Sequence, residues 1–197
     1  MADQQSKGVV LVVGAGDATG GSIAKRFALQ GYEAVITRRN EDKLRGITDE
    51  IRAAGGVVHP FGVDARREEE MVPFIKRIED QIGAIEIAVY NVGGNVRFGI
   101  AETTSRVFFK VWEMCCFGGF LMGREVSNHM RTRGRGTIIF TGATASVRGG
   151  EGYSAFATGK HGLRALAQSM ARELAPKGIH IGHVIIDGAI DTEWIRE

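Results

Sequence analysis

The chain has 197 residues, of which 44% are hydrophobic and 24% are charged, and its formal net charge is +2. This size and composition predict one soluble globular domain over residues 1–197, and the small net charge gives no indication of a nucleic-acid or membrane partner. The two cysteines, Cys115 and Cys116, are adjacent in sequence. This excludes an ordinary structural disulfide between them, and we expect a cytoplasmic protein.

The first apolar run, residues 9–13, is short and rich in valine, as is typical of a strand buried on both faces. It is too short for a membrane span or the core of a signal peptide. A glycine-rich turn follows directly, and residues 23–29 continue with helical spacing. This order predicts a dinucleotide site, because backbone N–H groups at the start of a helix point towards a pyrophosphate. A tight turn without a ligand is the alternative. The turn residues expected to bind the cofactor are Gly14, Gly16, Asp17, Ala18, Thr19 and Gly20.

Five further β-branched runs predict strands, at residues 34–37, 57–61, 85–90, 137–141 and 179–186. Between them, apolar residues recur at helical spacing, as at Leu44, Ile47 and Ile51. Pro73 is expected in a first helical turn or at a kink. Strands that alternate with helices, joined by right-handed crossovers, predict an α/β protein. The expected architecture is a doubly wound parallel sheet (Rossmann fold) with helices on both faces.

The ends of the second and third predicted strands carry charged residues. Arg38 and Arg39 follow the second strand, where an acidic residue would suit NAD and an arginine suits the 2′-phosphate of NADP. They therefore favour NADP(H) over NAD(H), the alternative being two solvated arginines in a loop. Asp64 ends the third strand and could accept a hydrogen bond from the adenine amino group. It could equally be the N-cap of the following helix.

These segments together resemble the short-chain dehydrogenase/reductase superfamily over nearly the whole sequence. Tyr90-Asn91-Val92-Gly93, after the fourth strand, is similar to the Asn-Asn-Ala-Gly of that family. Lys160 opens a long helix, and the run from Asp187 to Thr192 looks like the family's Pro-Gly-x-x-x-Thr. The resemblance implies that Lys160 binds the nicotinamide ribose. The other residues that it places near the cofactor are Asp64, Ala65, Asn91, Val92, Gly93, Ile190 and Thr192.

Three of the four catalytic positions of the family are changed in this sequence. Phe156 stands where the family has tyrosine, Ala143 where it has serine and Cys115 where it has asparagine, so only Lys160 matches. Ala18 also replaces the middle glycine of the family's first motif. Phenylalanine has no proton to give and alanine has no hydroxyl, so the usual acid and oxyanion donor for carbonyl reduction are missing.

Tyr153 is the alternative candidate for the acid. It lies seven positions before Lys160, about two helical turns, so both side chains would share one helix face. This spacing resembles that of the divergent enoyl-thioester reductases of the same superfamily. The alternative is a tyrosine at the rim of the helix start. Thr144 or Ser146 could supply a hydroxyl if the fifth strand ends at a different residue from the predicted one.

The predicted function is an NADP(H)-dependent oxidoreductase that transfers hydride between nicotinamide and a small carbonyl or enoyl-thioester substrate. The alternative is a catalytically impaired cofactor-binding or scaffold protein of the same fold. No metal site is expected, since His180 and His183 lack acidic or cysteine partners at metal spacing. By resemblance, two long helices around residues 108–130 and 153–175 form a homodimer or homotetramer. The same resemblance makes the sequence short for the family at its carboxyl-terminal end.

Overall fold

The computed structural model describes residues 6–188 and residue 190. Six strands form one sheet in the order β3-β2-β1-β4-β5-β6, and every neighbouring pair is parallel. The strands are β1 (Val9–Val13), β2 (Glu33–Arg38), β3 (Val57–Gly62), β4 (Ile85–Tyr90), β5 (Gly136–Ala143) and β6 (Ile179–Ile186). The predicted doubly wound sheet is confirmed. The strand order reverses between β1 and β4, which is where such sheets leave a crevice for a ligand.

In the described part of the protein, six α-helices connect the strands. They are α1 (Thr19–Ala28), α2 (Arg45–Ala53), α3 (Glu68–Gln81), α4 (Ser105–Trp112), α5 (Gly118–Arg133) and α6 (Ser154–Leu174). One π-helical turn, Glu113–Phe117, joins α4 to α5. Pro73 lies inside α3, beyond its first turn, so the first of its two expected positions is wrong and a kink is the other; the residue is exposed to solvent.

The core has two layers because the side chains of a strand alternate between the two faces of the sheet. Val9, Leu11 and Val13 of β1 pack on the face covered by α3, α5 and α6, whereas Val10 and Val12 pack under α1 and α2. All five β1 side chains are at most 1% exposed. This double burial explains the continuous apolar run in the sequence.

Contacts between neighbouring strand ends fix the crevice. The Asn91 N–H donates to Val13 O over 2.8 Å, and the Asn91 side-chain amide donates to Gly14 O over 3.0 Å. The segments that follow β1 and β4 are therefore tied together at the reversal point. No helix in the described part of the protein is long and apolar enough to cross a membrane.

Candidate functional site

The glycine turn after β1 needs glycine at its first position. Gly14 has a φ of +89°, which favours glycine, and a Cβ there would lie 2.9 Å from Asn91 O. The N–H groups of Gly14 and Ala15 donate to Thr37 O over 3.1 and 3.0 Å. These bonds hold the turn against the end of β2, so the turn is fixed before any ligand binds.

The start of α1 is packed against this turn. A Cβ on Gly20 would meet Gly14 O and would lie 2.8 Å from the Ala15 Cα, so glycine permits close packing of helix and strand. Gly16, in contrast, faces open space, with no atom within 4 Å of the position a Cβ would take. Ala18 has a φ of −104°, so its backbone does not need the left-handed conformation that favours glycine. Alanine is therefore compatible with the turn.

The N-terminus of α1 carries a positive potential. Its first amides precede the first helical hydrogen bond, and its first turn contains no acidic residue. The cleft above it has a volume of about 1280 Å³ and opens along the ends of the four strands β1 to β4. Such a helix start is a ready site for an anion.

Most residues predicted to bind the cofactor line this cleft. They are Gly14, Gly16, Asp17, Ala18, Thr19, Gly20, Arg38, Arg39, Asp64, Ala65, Asn91, Val92, Gly93 and Ile190. Thr192 lies outside the described residues. Sequence reasoning missed Lys43, Arg66 and Met114, which also line the cleft. Arg66 could have been found from its place just after a strand end. Met114, on the π-helical turn, has no such signal.

Basic side chains form the wall of the cleft beyond β2. Arg38 is partly buried, and its Nη1 donates to Lys43 O over 3.2 Å and lies 3.6 Å from the Asp17 carboxylate. Arg39 and Lys43 are exposed. Within residues 6–188 neither forms an ion pair, although the charge of Arg39 helps to lower the pKa of the Asp64 carboxyl.

Asp64 forms an ion pair with Arg66 in the loop after β3, the strand next to β2. Arg66 Nε donates to Asp64 Oδ1 over 2.9 Å and Arg66 Nη2 donates to Oδ2 over 2.5 Å. The Arg66 backbone N–H donates to Oδ1 over 3.1 Å. These hydrogen bonds outweigh burial and lower the pKa of Asp64. The interpretation of Asp64 as a helix cap is wrong, because Arg67 is the N-cap of α3.

Lys160 lies under the cleft rather than in its lining. Only 4% of it is exposed, and its Nζ donates to Thr141 O over 2.8 Å and to Val92 O over 3.1 Å. Burial lowers its pKa. The amine therefore bridges the end of β5 and the segment after β4, next to Gly93.

The changed catalytic positions are occupied by packing residues. Phe156 packs against a small apolar cluster formed by Val111, Cys115 and Ala155. Cys115 is fully buried, and burial raises the pKa of its thiol, so it is a neutral core residue. β5 ends at Ala143, two residues beyond the predicted end, so Thr144 and Ser146 follow it closely. Ser146 is fully buried, and its Oγ accepts from the Ala143 N–H over 3.1 Å. Thr144 donates to Asp187.

Tyr90 contacts the backbone of the π-helical turn. Its hydroxyl donates to Met114 O over 2.6 Å, and burial raises its pKa well above the ordinary value. Gly118 makes room for this hydroxyl, because a Cβ at that position would overlap it. The bond holds the segment from which Met114 reaches the cleft.

Tyr153 is the N-cap residue of α6 and is half-buried. The Arg97 guanidinium lies over its ring, 5.9 Å from the centroid. Phe98 N donates to Gly152 O over 2.9 Å, so the loop after β4 is tied to the loop before α6. Within the described ranges the Tyr153 hydroxyl has no hydrogen-bond partner.

The comparisons with known proteins give a consistent family. A family model described as short chain dehydrogenase matches residues 8–197. The crystal structure of a short-chain dehydrogenase from Rhodopseudomonas palustris is 52% identical, with a TM-score of 0.88 over 91% of this protein and 84% of that one.

Two further solved structures hold different nicotinamide cofactors. A metagenomic short-chain oxidoreductase in complex with NADP has a TM-score of 0.87 at 24% identity, over 95% of this protein and 85% of that one. An NAD⁺-bound xylitol dehydrogenase has a TM-score of 0.87 at 27% identity, over 91% of this protein and 69% of that one. The fold therefore accommodates either cofactor.

Proposed function

The protein belongs to the short-chain dehydrogenase family of NAD(P)-dependent oxidoreductases, and we propose that it uses NADP(H) to reduce a small carbonyl or enoyl-thioester substrate. The main support for NADP(H) is the group of basic side chains that line the cleft beyond β2. Arg39 and Lys43 line the cleft and form no ion pair in the described part of the protein, and Arg38 is held beside them. A phosphate on the adenosine ribose would supply the missing anion.

The residues present fit a dinucleotide. Gly16 leaves open space beside the helix start, and the first turn of α1 has free amides and no competing carboxylate. In this proposal Gly14, Asp17, Ala18, Thr19 and Gly20 surround the pyrophosphate. Asn91, Gly93 and Ile190, which also line the cleft, are proposed to contact the nicotinamide half of the cofactor, as the family resemblance implies.

Lys160 is proposed to hold the nicotinamide ribose. Its ammonium group has three donors, of which two serve Val92 O and Thr141 O, so one remains for a hydroxyl of the bound cofactor. When bound, the reduced nicotinamide supplies the hydride. For a carbonyl substrate the protein must then provide a proton to the substrate oxygen, and for an enoyl thioester it must stabilise the enolate oxygen while the α-carbon takes up a proton.

Tyr153 is the proposed proton donor. Its hydroxyl is unpartnered within the described ranges, and its ring is held by Arg97 at the start of the helix that carries Lys160. Phe156 and Ser146, in contrast, are committed to packing and to a backbone contact. This assignment would give the reaction an acid in place of the usual tyrosine.

We also propose a homodimer in the cytoplasm. Aromatic side chains run along α4 and α5, with Trp112 and Phe120 stacked on either side of Phe117. Phe109 on the same segment is 63% exposed. A second copy would cover this surface. Both cysteines are free, as is usual in a reducing compartment.

The test combines binding and turnover. Dissociation constants for NADPH and NADH should differ by about tenfold or more in favour of NADPH, since a phosphate contact to charged donors contributes roughly 1.5–3 kcal/mol. NADPH oxidation is then measured with a panel of ketones, aldehydes and enoyl thioesters. Tighter NADH binding would contradict the cofactor proposal. Bound NADPH that no substrate oxidises would favour the binding-protein alternative.

A further inference from the structure

The wall of the cleft beyond β3 is built differently from the wall beyond β2. Asp64 and Arg66 both line the cleft, and their side chains are only 15% and 19% exposed. The loop is also fixed through its backbone. The Asp64 N–H donates to Glu70 Oε2 over 2.8 Å and the Arg67 N–H donates to Asp64 O over 2.9 Å. The side chains of this wall are therefore presented by a rigid loop.

Among the described residues, the Arg66 guanidinium donates hydrogen bonds to the Asp64 carboxylate and to no other acceptor. Nε and Nη2 each meet one carboxylate oxygen, which is the two-pronged arrangement that keeps a guanidinium and a carboxylate in one plane. The backbone N–H of Arg66 takes a third acceptor position on the same carboxylate. A carboxylate has about four lone-pair positions, so little of its acceptor capacity remains.

This geometry bears on how the adenine end of a cofactor is held. A guanidinium whose edge is engaged still offers its flat face, and arginine faces stack on aromatic rings and bases. The carboxylate of Asp64, in contrast, is a poor acceptor for an adenine amino group because Arg66 already occupies it. The two walls thus differ in chemistry: exposed point charges beyond β2 and a neutralised, planar pair beyond β3.

Resting on the proposed function, we propose that Arg66, held flat by Asp64, is the surface on which the adenine ring stacks. Asp64 is then a positioning residue for Arg66 and does not recognise the adenine amino group. The protein then recognises the adenine ring by its shape and its π-face, so a cofactor whose purine lacks the amino group should also bind. The preference for NADP(H) arises separately, at Arg39 and Lys43.

The first experiment uses the unaltered protein. Its dissociation constants are measured by fluorescence titration for NADPH and for the analogue in which hypoxanthine replaces adenine. Hypoxanthine keeps the fused ring and lacks the 6-amino group. Stacking predicts constants within about threefold of each other, because both rings present the same π-face. A loss of tenfold or more for the analogue would overturn the proposal, since it would mean that the amino group is recognised.

The second experiment compares variants of Arg66 and Arg39. Arg66→Gln should weaken NADPH and NADH by the same factor, about 3- to 30-fold. Arg66→Lys keeps the charge and loses the plane, so it should weaken both nearly as much. Arg39→Gln is the matched control and should weaken NADPH alone. Reduced nicotinamide mononucleotide, which lacks adenine, should bind all variants equally.

The outcomes separate this proposal from the cofactor preference. If Arg66→Gln weakened NADPH alone, or if Arg66→Lys bound like the unaltered protein, Arg66 would act as a charge on phosphate and the stacking proposal would be wrong. If NADH bound as tightly as NADPH, the NADP(H) proposal would fail. The hypoxanthine comparison, made with the matching pair of nucleotides, would still decide the role of Arg66. Thermal unfolding of each variant checks that it is folded.

Discussion

Substitution of Tyr90 by phenylalanine tests whether the π-helical turn depends on one buried hydrogen bond. The Tyr90 hydroxyl donates to Met114 O over 2.6 Å, and Tyr90 is fully buried. Tyr90→Phe removes the donor, and the phenyl ring that replaces it in this fully buried position offers the Met114 carbonyl no new one. A buried polar group left unsatisfied costs about 1–3 kcal/mol of unfolding free energy. For a protein of this size that corresponds to a decrease in melting temperature of about 2–12 °C.

The measurement is urea unfolding followed by tryptophan fluorescence, with the melting temperature from calorimetry as a second readout. Tyr32→Phe is the matched control. The Tyr32 ring packs edge-on against Phe27, with centroids 5.6 Å apart, and its hydroxyl has no hydrogen-bond partner in the described part of the protein. The control should change the unfolding free energy by less than about 0.5 kcal/mol. If Tyr90→Phe were equally neutral, the bond would not stabilise this turn and the reasoning would be refuted.

The site geometry gives four other predictions. Arg39→Gln should weaken the binding of NADPH by about 5- to 20-fold and that of NADH by less than about twofold, since charged hydrogen bonds contribute roughly 1.5–3 kcal/mol before solvent screening. Calorimetric titration measures both dissociation constants, with the exposed Arg52→Gln variant as the control. An equal loss for both nucleotides would count against a phosphate contact. Tyr153→Phe should reduce turnover about 100-fold or more while NADPH binding is kept; unchanged turnover would exclude Tyr153 as the acid. The pKa of Asp64 is lowered below its ordinary 3.8, so the stability that this ion pair contributes is present above that pH and is lost as the pH falls through the lower pKa of the folded state. Asp64→Asn should therefore reduce the fall of the unfolding free energy at acid pH. An unchanged fall in the variant would contradict this prediction. Light scattering at micromolar concentration should give twice the mass of the monomer. Phe109→Glu should lower the measured mass towards that of a monomer. A monomeric mass for the unaltered protein would refute the dimer.

Much of the fold could be read from local pattern. The strands β1, β4 and β6 have the predicted bounds, and the other three extend the predicted runs by one or two residues at their ends. Runs of β-branched residues flanked by turns are informative because a strand buried on both faces tolerates few polar side chains. The glycine turn was equally readable, since Gly14 adopts a backbone conformation that other residues avoid.

Only part of the candidate site could be predicted from the sequence. Arg38 and Arg39 could be predicted because strand ends in a doubly wound sheet meet at one edge, and position in the sequence therefore gives position in space. Asp64 followed from the same rule, but its pairing with Arg66 did not. Lys43 and Met114 lie on helical segments that reach the cleft only through tertiary packing. Their spacing in sequence carries no sign of that.

The sequence by itself determined the alternation of strands and helices, the glycine turn, the positive charges at the second strand end and the loss of three family catalytic residues. All of these depend on residue type at one position or on short-range periodicity. Only the tertiary structure decided that Asp64 is occupied by Arg66, that Lys160 bridges Val92 and Thr141, and that Tyr90 holds the π-helical turn. Side-chain direction decides the first of these contacts, and the other two join residues from 19 to 68 positions apart. Packing alone brings such groups together, because hydrogen bonds depend on distance and direction in space.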